Sequence, residues 1–128
     1  MRLILVRHAH SDPGDPDDLR PLSARGREEA RVLAEQLATL RPDAVLSSPL
    51  LRARETAAAI AKAAGVELSV DDRLAPGASA DDILAAVDGA GETVVTVGHQ
   101  PDCSEITLAL TGADPGFPTA GSYELDVS

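Results

Sequence analysis

Short aliphatic runs alternate along this chain with longer segments that repeat apolar residues at helical spacing. Three such runs cover residues 2–7, 43–48 and 92–98. Each is short, rich in Val, Leu or Ile, and followed by polar residues, as expected of a buried strand. Strands separated by helices favour parallel pairing, because a crossover helix returns the chain to the same end of the sheet. We therefore predict an α/β fold, a three-layer α/β/α sandwich with a mostly parallel central sheet.

Serine and proline residues mark the expected helix starts, since a serine hydroxyl caps a helix and proline is tolerated in its first turn. The predicted helices run from a Ser23 cap to about Leu40, from Ser48 and Pro49 to about Ala64, over 80–88 behind a Ser79 cap, and from Pro101 to about Leu110. Weaker strands are predicted at 66–70 and 122–127. Residues 9–21 are predicted to be a loop that carries solvated acidic charge.

Composition restricts the partners and the cellular location. The length of 128 residues fits one domain, 1–128. A net charge of −10 and 2% aromatic residues argue against nucleic acid, and the charge also argues against an anionic membrane surface. The single cysteine, Cys103, excludes an internal disulfide and is expected to be a small buried core residue. With no signal-peptide pattern and no span-length apolar segment, we expect a cytoplasmic protein.

Four cationic or titratable side chains are predicted to meet at one edge of the sheet. Arg7 and His8 end the first strand, Arg52 lies in the first turn of the helix after the second, and His99 follows the strand at 92–98. Loops and helix N-termini converge beyond the carboxyl ends of parallel strands, where ligands bind. The pattern therefore indicates an anion pocket that contains a nucleophile.

These residue types suit phosphoryl transfer. A neutral imidazole such as His8 has a lone pair available near pH 7 and can attack phosphorus. Guanidinium groups such as Arg7 and Arg52 bind non-bridging oxygens in a bidentate manner, and His99 could donate to the same group. Because the arginines neutralise the phosphoryl charge, the pattern requires no metal ion and no cofactor.

Four segments together resemble the histidine phosphatase superfamily, also called phosphoglycerate mutase-like. They are RHA at 7–9, LSARGREEA at 22–30, SSPLLRARET at 47–56 and VVTVGHQP at 94–101. The resemblance implies the phosphoglycerate mutase-like fold and a phosphatase that forms a phosphohistidine intermediate. It implies His8 as the nucleophile, and Arg7, Arg52 and His99 as its phosphate pocket.

Within that family the chain is similar to the small SixA-type phosphohistidine phosphatases. The similarity rests on the short length, RPLS at 20–23 and LAPGAS at 74–79. It implies that Arg20 reaches the site, that His10 lies near its rim, and that the partner is a phosphohistidine-bearing phosphotransfer protein.

Members that cleave phosphoesters usually carry a glutamate general acid after the third strand, but this chain has Ala75 and Pro76 there. An alkoxide leaving group needs a proton, whereas an imidazole whose ring is already protonated leaves as a neutral molecule. The missing acid therefore favours a phosphohistidine substrate. Asp71 or Asp72 is the candidate for a substitute acid.

Two alternatives stay open from the sequence. One is a broad phosphomonoesterase that acts on a small metabolite. The other belongs to a different class, a metal-dependent hydrolase that uses the His8-x-His10-x-Asp12 pattern. A dinuclear site of that kind needs further ligands, and the chain has three histidines in all.

Overall fold

The computed structural model describes residues 1–127 as five strands and four α-helices. The strands are β1 Arg2–Arg7, β2 Ala44–Ser47, β3 Leu68–Val70, β4 Thr93–Gly98 and β5 Ser122–Asp126. The helices are α1 Ala24–Ala38, α2 Leu51–Ala64, α3 Ala80–Val87 and α4 Asp102–Thr111. Two short 3₁₀ turns, Asp17–Leu19 and Asp72–Leu74, lie in the connections that follow β1 and β3.

The strands form one sheet in the order β3-β2-β4-β1-β5. The pairs β1–β4, β2–β4 and β2–β3 are parallel, and β5 pairs antiparallel with β1. The prediction of a mostly parallel sheet is confirmed, and the last strand completes the sheet at the edge beside β1. Because β1, β2 and β4 run in the same direction, their carboxyl ends open at one edge.

Alternate residues of β1 enter two separate hydrophobic layers, which confirms the three-layer sandwich. Leu3 and Leu5 pack with residues of α3 and α4 on one face of the sheet. Ile4 and Val6 pack with residues of α1 and α2 on the other face. Cys103 lies in the first layer, as expected, and burial raises the pKa of its thiol to about 12. That thiol therefore stays protonated at neutral pH.

The helix starts were predicted correctly at two serines and wrongly at a third. Ser23 caps α1 by accepting from the Gly26 amide, and Ser79 forms a capping box at α3. Ser48 does not cap α2, which begins at Leu51 behind Leu50. The Ser48 hydroxyl instead lies 2.7 Å from His99 Nε2, a tertiary contact that the local sequence pattern does not reveal.

α1 and the segment after β1 approach each other closely at Gly26. The Ser23 amide donates to the His10 carbonyl at 3.0 Å. A Cβ atom on Gly26 would collide with that same carbonyl oxygen, so the position has no room for a side chain. The close approach fixes the chain that follows His8 against the first helix.

Within residues 1–127, none of the helices combines the length and the apolar character required to cross a bilayer.

Candidate active site

One cavity of about 310 Å³ lies at the carboxyl edge of the sheet. It receives side chains from the ends of β1 and β4, from the start of α2 and from three loops. Its lining residues are Arg7, His8, His10, Ser11, Arg20, Arg52, Pro76, His99, Gln100 and Thr119. The structure therefore brings together the four residues proposed as catalytic, and Arg20 and His10 with them.

His8 follows β1 directly, and its backbone is held by neighbouring strands and loops. Its amide donates to the Gly98 carbonyl at 3.0 Å, and the next amide, that of Ala9, donates to Thr56 Oγ1 on α2. Its ring Nδ1 lies 2.7 Å from the Ala9 carbonyl oxygen. A carbonyl can only accept, so Nδ1 carries the hydrogen and Nε2 keeps a free lone pair.

The electrostatic surroundings keep His8 neutral. Burial lowers the pKa of His8, the hydrogen bond to Ala9 partly opposes this effect, and the charges of Arg52, Arg7 and Arg20 lower the pKa further. At neutral pH the unprotonated ring is therefore the dominant form. A neutral imidazole beside guanidinium groups is suited to attack an anionic phosphorus centre that those groups have bound.

His99 is the second buried imidazole of the cavity. It follows β4 and is 4% exposed, and its ring centroid lies 5.3 Å from that of His8. Burial lowers the pKa of His99 to about 4, with the charges of His8 and Arg52 adding to the effect. Among residues 1–127, nothing hydrogen-bonds to its buried Nδ1.

The two arginines are each anchored through part of the guanidinium. Arg7 donates from Nη1 to the Phe117 carbonyl at 3.0 Å, while its buried Nε has no partner among residues 1–127. Arg52 is 8% exposed and donates from Nη1 to the Asp17 carbonyl at 2.9 Å. Anchoring on one side fixes the orientation of each fork before a ligand arrives.

Unpartnered buried donors indicate what kind of ligand the cavity fits. Buried polar atoms normally have a hydrogen-bond partner, so Arg7 Nε and His99 Nδ1 are exceptions that need an explanation. A phosphoryl group would supply acceptor oxygens to both. Tetrahedral oxyanions with several oxygens fit this set of donors better than a neutral ligand does.

His10 and Arg20 line the cavity through contacts with the segment between β1 and α1. His10 Nδ1 lies 2.6 Å from Ser23 Oγ. Arg20 donates from Nε to the Asp12 carbonyl and from Nη2 to Ser11 Oγ, both at 2.9 Å. Their place at the cavity agrees with the sequence analysis, and their role in binding substrate stays a prediction.

The candidate substitute acids lie elsewhere. Neither Asp71 nor Asp72 lines the cavity, and the Asp71 carboxylate binds Arg73 at 2.7 Å. That hydrogen bond lowers the pKa of Asp71 and so favours its ionised form. Pro76 occupies the wall of the cavity on this side, and the buried Asp102 carboxylate holds the loop by accepting from the Gly77 amide at 2.8 Å. None of the described lining residues is Asp or Glu.

The metal-site alternative gains no support from the arrangement of donor atoms. No cluster of three or more His, Cys, Asp or Glu side chains suited to hold a metal ion occurs in the described part of the chain. His8 and His10 direct their Nδ1 atoms to a backbone carbonyl and to a serine hydroxyl. The donor set is thus that of an oxyanion site with arginines.

Three participants were missed by sequence reasoning. Ser48 was interpreted as a helix cap, and Asp17 as part of a solvated loop. Thr119 lies in the loop before β5 and reaches the cavity through the fold alone. For Asp17 the available signal was its position three residues before Arg20 in a turn-forming segment; for Thr119 the sequence held none.

Comparison with known proteins places this site in a defined class. The model of the histidine phosphatase superfamily (branch 1) matches residues 3–76. The chain therefore belongs to the histidine phosphatase superfamily, as its four motifs predicted. Its fold is that of the phosphoglycerate mutase-like proteins.

Three similar proteins refine the comparison. A solved structure of the candidate phosphohistidine phosphatase SixA from Agrobacterium tumefaciens is 32% identical, with a TM-score of 0.83 over 98% of this chain and 90% of that one. Phosphoserine phosphatase 1 of Hydrogenobacter thermophilus is 40% identical over 83 residues, which are 58% of this chain but 37% of that protein. An uncharacterized protein of Picosynechococcus sp. is 35% identical over 91% of this chain and 76% of its own length.

Proposed function

We propose that this protein is a metal-independent phosphatase that removes the phosphoryl group from a phosphohistidine on a cytoplasmic phosphotransfer protein. Two features together support this proposal most strongly: His8 is held in the tautomer that leaves Nε2 free to attack, and none of the described residues that line the cavity is a carboxylic acid. His8 Nε2 is free because Nδ1 is engaged by the Ala9 carbonyl. The cavity wall presents Pro76 where an ester-cleaving enzyme would need a proton donor.

Substrate binding engages the cationic side of the cavity. The phosphoryl oxygens accept hydrogen bonds from Arg7 and Arg52, which the Phe117 and Asp17 carbonyls hold in place. His99 donates from Nδ1 to one of the oxygens. These donors neutralise the charge that otherwise repels an approaching nucleophile.

In the first chemical step the lone pair on His8 Nε2 forms a bond to phosphorus. The bond from phosphorus to the substrate ring nitrogen breaks, and its electron pair stays on that nitrogen. Because the other ring nitrogen of the substrate is already protonated, the ring departs as neutral imidazole and needs no acid from the enzyme.

In the second step water attacks the phosphoryl group on His8. The phosphorus–nitrogen bond breaks and returns its electron pair to Nε2, while the water gives one proton to solvent and becomes part of inorganic phosphate. His8 is then neutral and ready for another cycle. Splitting the reaction in this way replaces one difficult displacement with two easier ones.

Two further observations support a protein substrate. The cavity opens to solvent, so a phosphorylated side chain on a protein surface has access to it. The Agrobacterium tumefaciens structure, similar over nearly the whole chain, is described as that of a candidate phosphohistidine phosphatase. The runner-up function is a phosphomonoesterase, which the similarity to phosphoserine phosphatase 1 favours over part of the chain.

The test compares phosphate release from a phosphohistidine-bearing phosphotransfer protein and from a phosphoserine peptide, with EDTA present throughout. We expect rapid release from phosphohistidine and release at least about a hundredfold slower from phosphoserine, because no acid protonates the serine alkoxide. The His8→Asn variant serves as the control and should lose at least about a thousandfold in rate. Release from the ester alone would reject the substrate and keep the nucleophile, and loss of all activity in EDTA would reject the metal-independent mechanism.

A further inference from the structure

A carboxylate sits beside the arginines at the mouth of the cavity. Asp17, in the 3₁₀ turn after β1, accepts from Arg20 Nη1 at 3.1 Å and from Arg52 Nη2 at 3.3 Å. Its side chain is 66% exposed, whereas that of Arg52 is 9% exposed. The carboxylate therefore lies on the solvent side of the Arg52 guanidinium, at the edge of the cavity that Arg20 and Arg52 line.

The Asp17 side chain is not what holds Arg52 in position. The shorter contact, at 2.9 Å, runs from Arg52 Nη1 to the backbone carbonyl of Asp17, and a side-chain substitution leaves that carbonyl in place. What the carboxylate adds is a fixed negative charge. Hydrogen bonding to Arg20, together with the charge of Arg52, lowers the pKa of Asp17, so that it stays ionised and is no proton donor at neutral pH.

The negative charge lies beside the arginines to which a phosphoryl group is expected to bind. An in-line displacement places the leaving group opposite the attacking His8 Nε2. Arg20 and Arg52 line the cavity, so the exposed carboxylate that both of them bind lies at its edge, close to a group that projects outward from a bound phosphoryl group. The charged side chains that line the cavity itself are arginines, so the Asp17 carboxylate bound to two of them adds a charge of the opposite sign.

We propose that Asp17 is a specificity-determining residue that selects substrates by the charge of the leaving group. It favours a leaving group that carries positive charge next to the phosphoryl group, and it disfavours one that carries a carboxylate. Resting on the proposed function, this inference explains how a site without a general acid prefers a protonated imidazole: the carboxylate stabilises the cationic ring until the phosphorus–nitrogen bond breaks. Phosphorylated carboxylic acids, by contrast, meet repulsion at the rim.

A matched pair of small ligands tests the proposal without relying on catalysis. Phosphoethanolamine carries an ammonium group and phosphoglycolate a carboxylate at a similar distance from phosphorus. We would measure both dissociation constants calorimetrically in the His8→Asn background, alone and combined with Asp17→Asn or Asp18→Asn. Asp18 is the control, because it lies in the same turn and its substitution changes the net charge equally.

We expect Asp17→Asn to shift the ratio of the two dissociation constants about tenfold in favour of phosphoglycolate, since Coulomb energies of opposite sign are removed from the two ligands. Asp18→Asn should change the ratio less than twofold. If Asp17→Asn weakens the binding of both ligands equally, the residue only positions Arg52. If Asp18→Asn shifts the ratio of the dissociation constants as much as Asp17→Asn does, the effect comes from the net charge of the turn and not from Asp17. Either result would overturn the proposal.

The same variant in the active enzyme separates this inference from the proposed function. With His8 restored, Asp17→Asn should reduce kcat/KM for the phosphohistidine protein about fivefold. Asp18→Asn should leave kcat/KM close to the wild-type value. If the wild-type enzyme does not cleave phosphohistidine but the ligand ratio still shifts, the proposed substrate is wrong and the role of Asp17 stands. If phosphohistidine is cleaved and the ratio does not shift, the reverse holds.

Discussion

Ser48 Oγ lies 2.7 Å from His99 Nε2, across 51 residues of sequence. The same oxygen accepts from the Leu50 amide at 3.2 Å, so the hydroxyl hydrogen is free to point at the imidazole. We infer that the hydroxyl hydrogen points at Nε2, which then accepts and leaves the ring hydrogen on Nδ1. On this inference a single buried serine orients His99 as a donor toward the proposed phosphoryl site.

Substitution of Ser48 should therefore alter the tautomer of His99. We expect Ser48→Ala to reduce kcat/KM about tenfold and to cost about 1–2 kcal/mol of stability, because a buried hydrogen bond is lost. Nitrogen chemical shifts of the His99 ring should show Nε2 no longer accepting a hydrogen bond. Ser47→Ala is the control: it removes another buried serine hydroxyl, one that donates to the Ser48 carbonyl, and should leave these shifts unchanged.

The depressed pKa of His99 predicts how stability depends on pH. The unfolded imidazole titrates near 6.5, and burial lowers the folded value to about 4, so between these pH values the unfolded state binds more protons. The contribution of the neutral His99 ring to the free energy of unfolding is complete above pH 6.5 and is lost as the pH falls to about 4, with a magnitude of about 3 kcal/mol.

Urea unfolding of the unliganded protein at several pH values checks this expectation. The His99→Gln variant lacks the titrating ring, so its free energy of unfolding should fall less steeply between pH 6.5 and 4. The charged or titratable groups facing His99 are His8, Arg52 and Asp17, and these are present in both proteins. Parallel profiles for the two proteins would contradict the prediction.

The planar, two-pronged guanidinium geometry of Arg52 should contribute more to phosphate binding than its charge alone. Arg52→Lys keeps one positive charge but loses the two-point contact with Asp17 and the bidentate contact that we propose for phosphate. We expect inorganic phosphate to bind about tenfold more weakly, measured by calorimetry. Arg54 lies on the same helix but donates to the Pro49 carbonyl and does not line the cavity. The Arg54→Lys variant should therefore bind phosphate as the wild type does.

Gly26 is predicted to tolerate no side chain. In Gly26→Ala the methyl group meets the His10 carbonyl, so α1 or the segment after His8 must move, at a cost of about 2–4 kcal/mol. Thermal unfolding measures this cost, and kcat should fall with it because the nucleophile segment shifts. Ala24→Ser, which adds one atom at an exposed position of the same helix, should change stability by less than about 0.5 kcal/mol.

The sequence predicted those features that depend on local pattern and burial. Uninterrupted aliphatic runs identified the central strands, and polar residues at the ends of β1 and β4 placed His8 and His99 at one edge. Parallel pairing made that convergence unavoidable. Family membership followed from the order and spacing of four motifs, so both the sheet and the composition of the cavity could be anticipated.

What could not be predicted depends on contacts between distant segments. Ser48 has the sequence environment of a helix cap, and its contact with His99 exists only because β2 and β4 are neighbours in the sheet. Asp17 looked like one of several solvated acids until the turn at 17–19 placed it on Arg52. Thr119 reaches the cavity because β5 returns antiparallel beside β1.

The central position of β1 separates the molecule into regions of unequal stability. Its amides bond to β4 on one side and to β5 on the other, and four of its six residues are fully buried. Such a strand exchanges its amide hydrogens only through global opening, whereas the exposed turn at 17–19 can open locally. We therefore expect the proposed nucleophile to be attached to a slowly exchanging element, and the charge proposed to select the leaving group to lie on a faster one. Substrate preference can therefore evolve at the rim without disturbing the machinery beneath it.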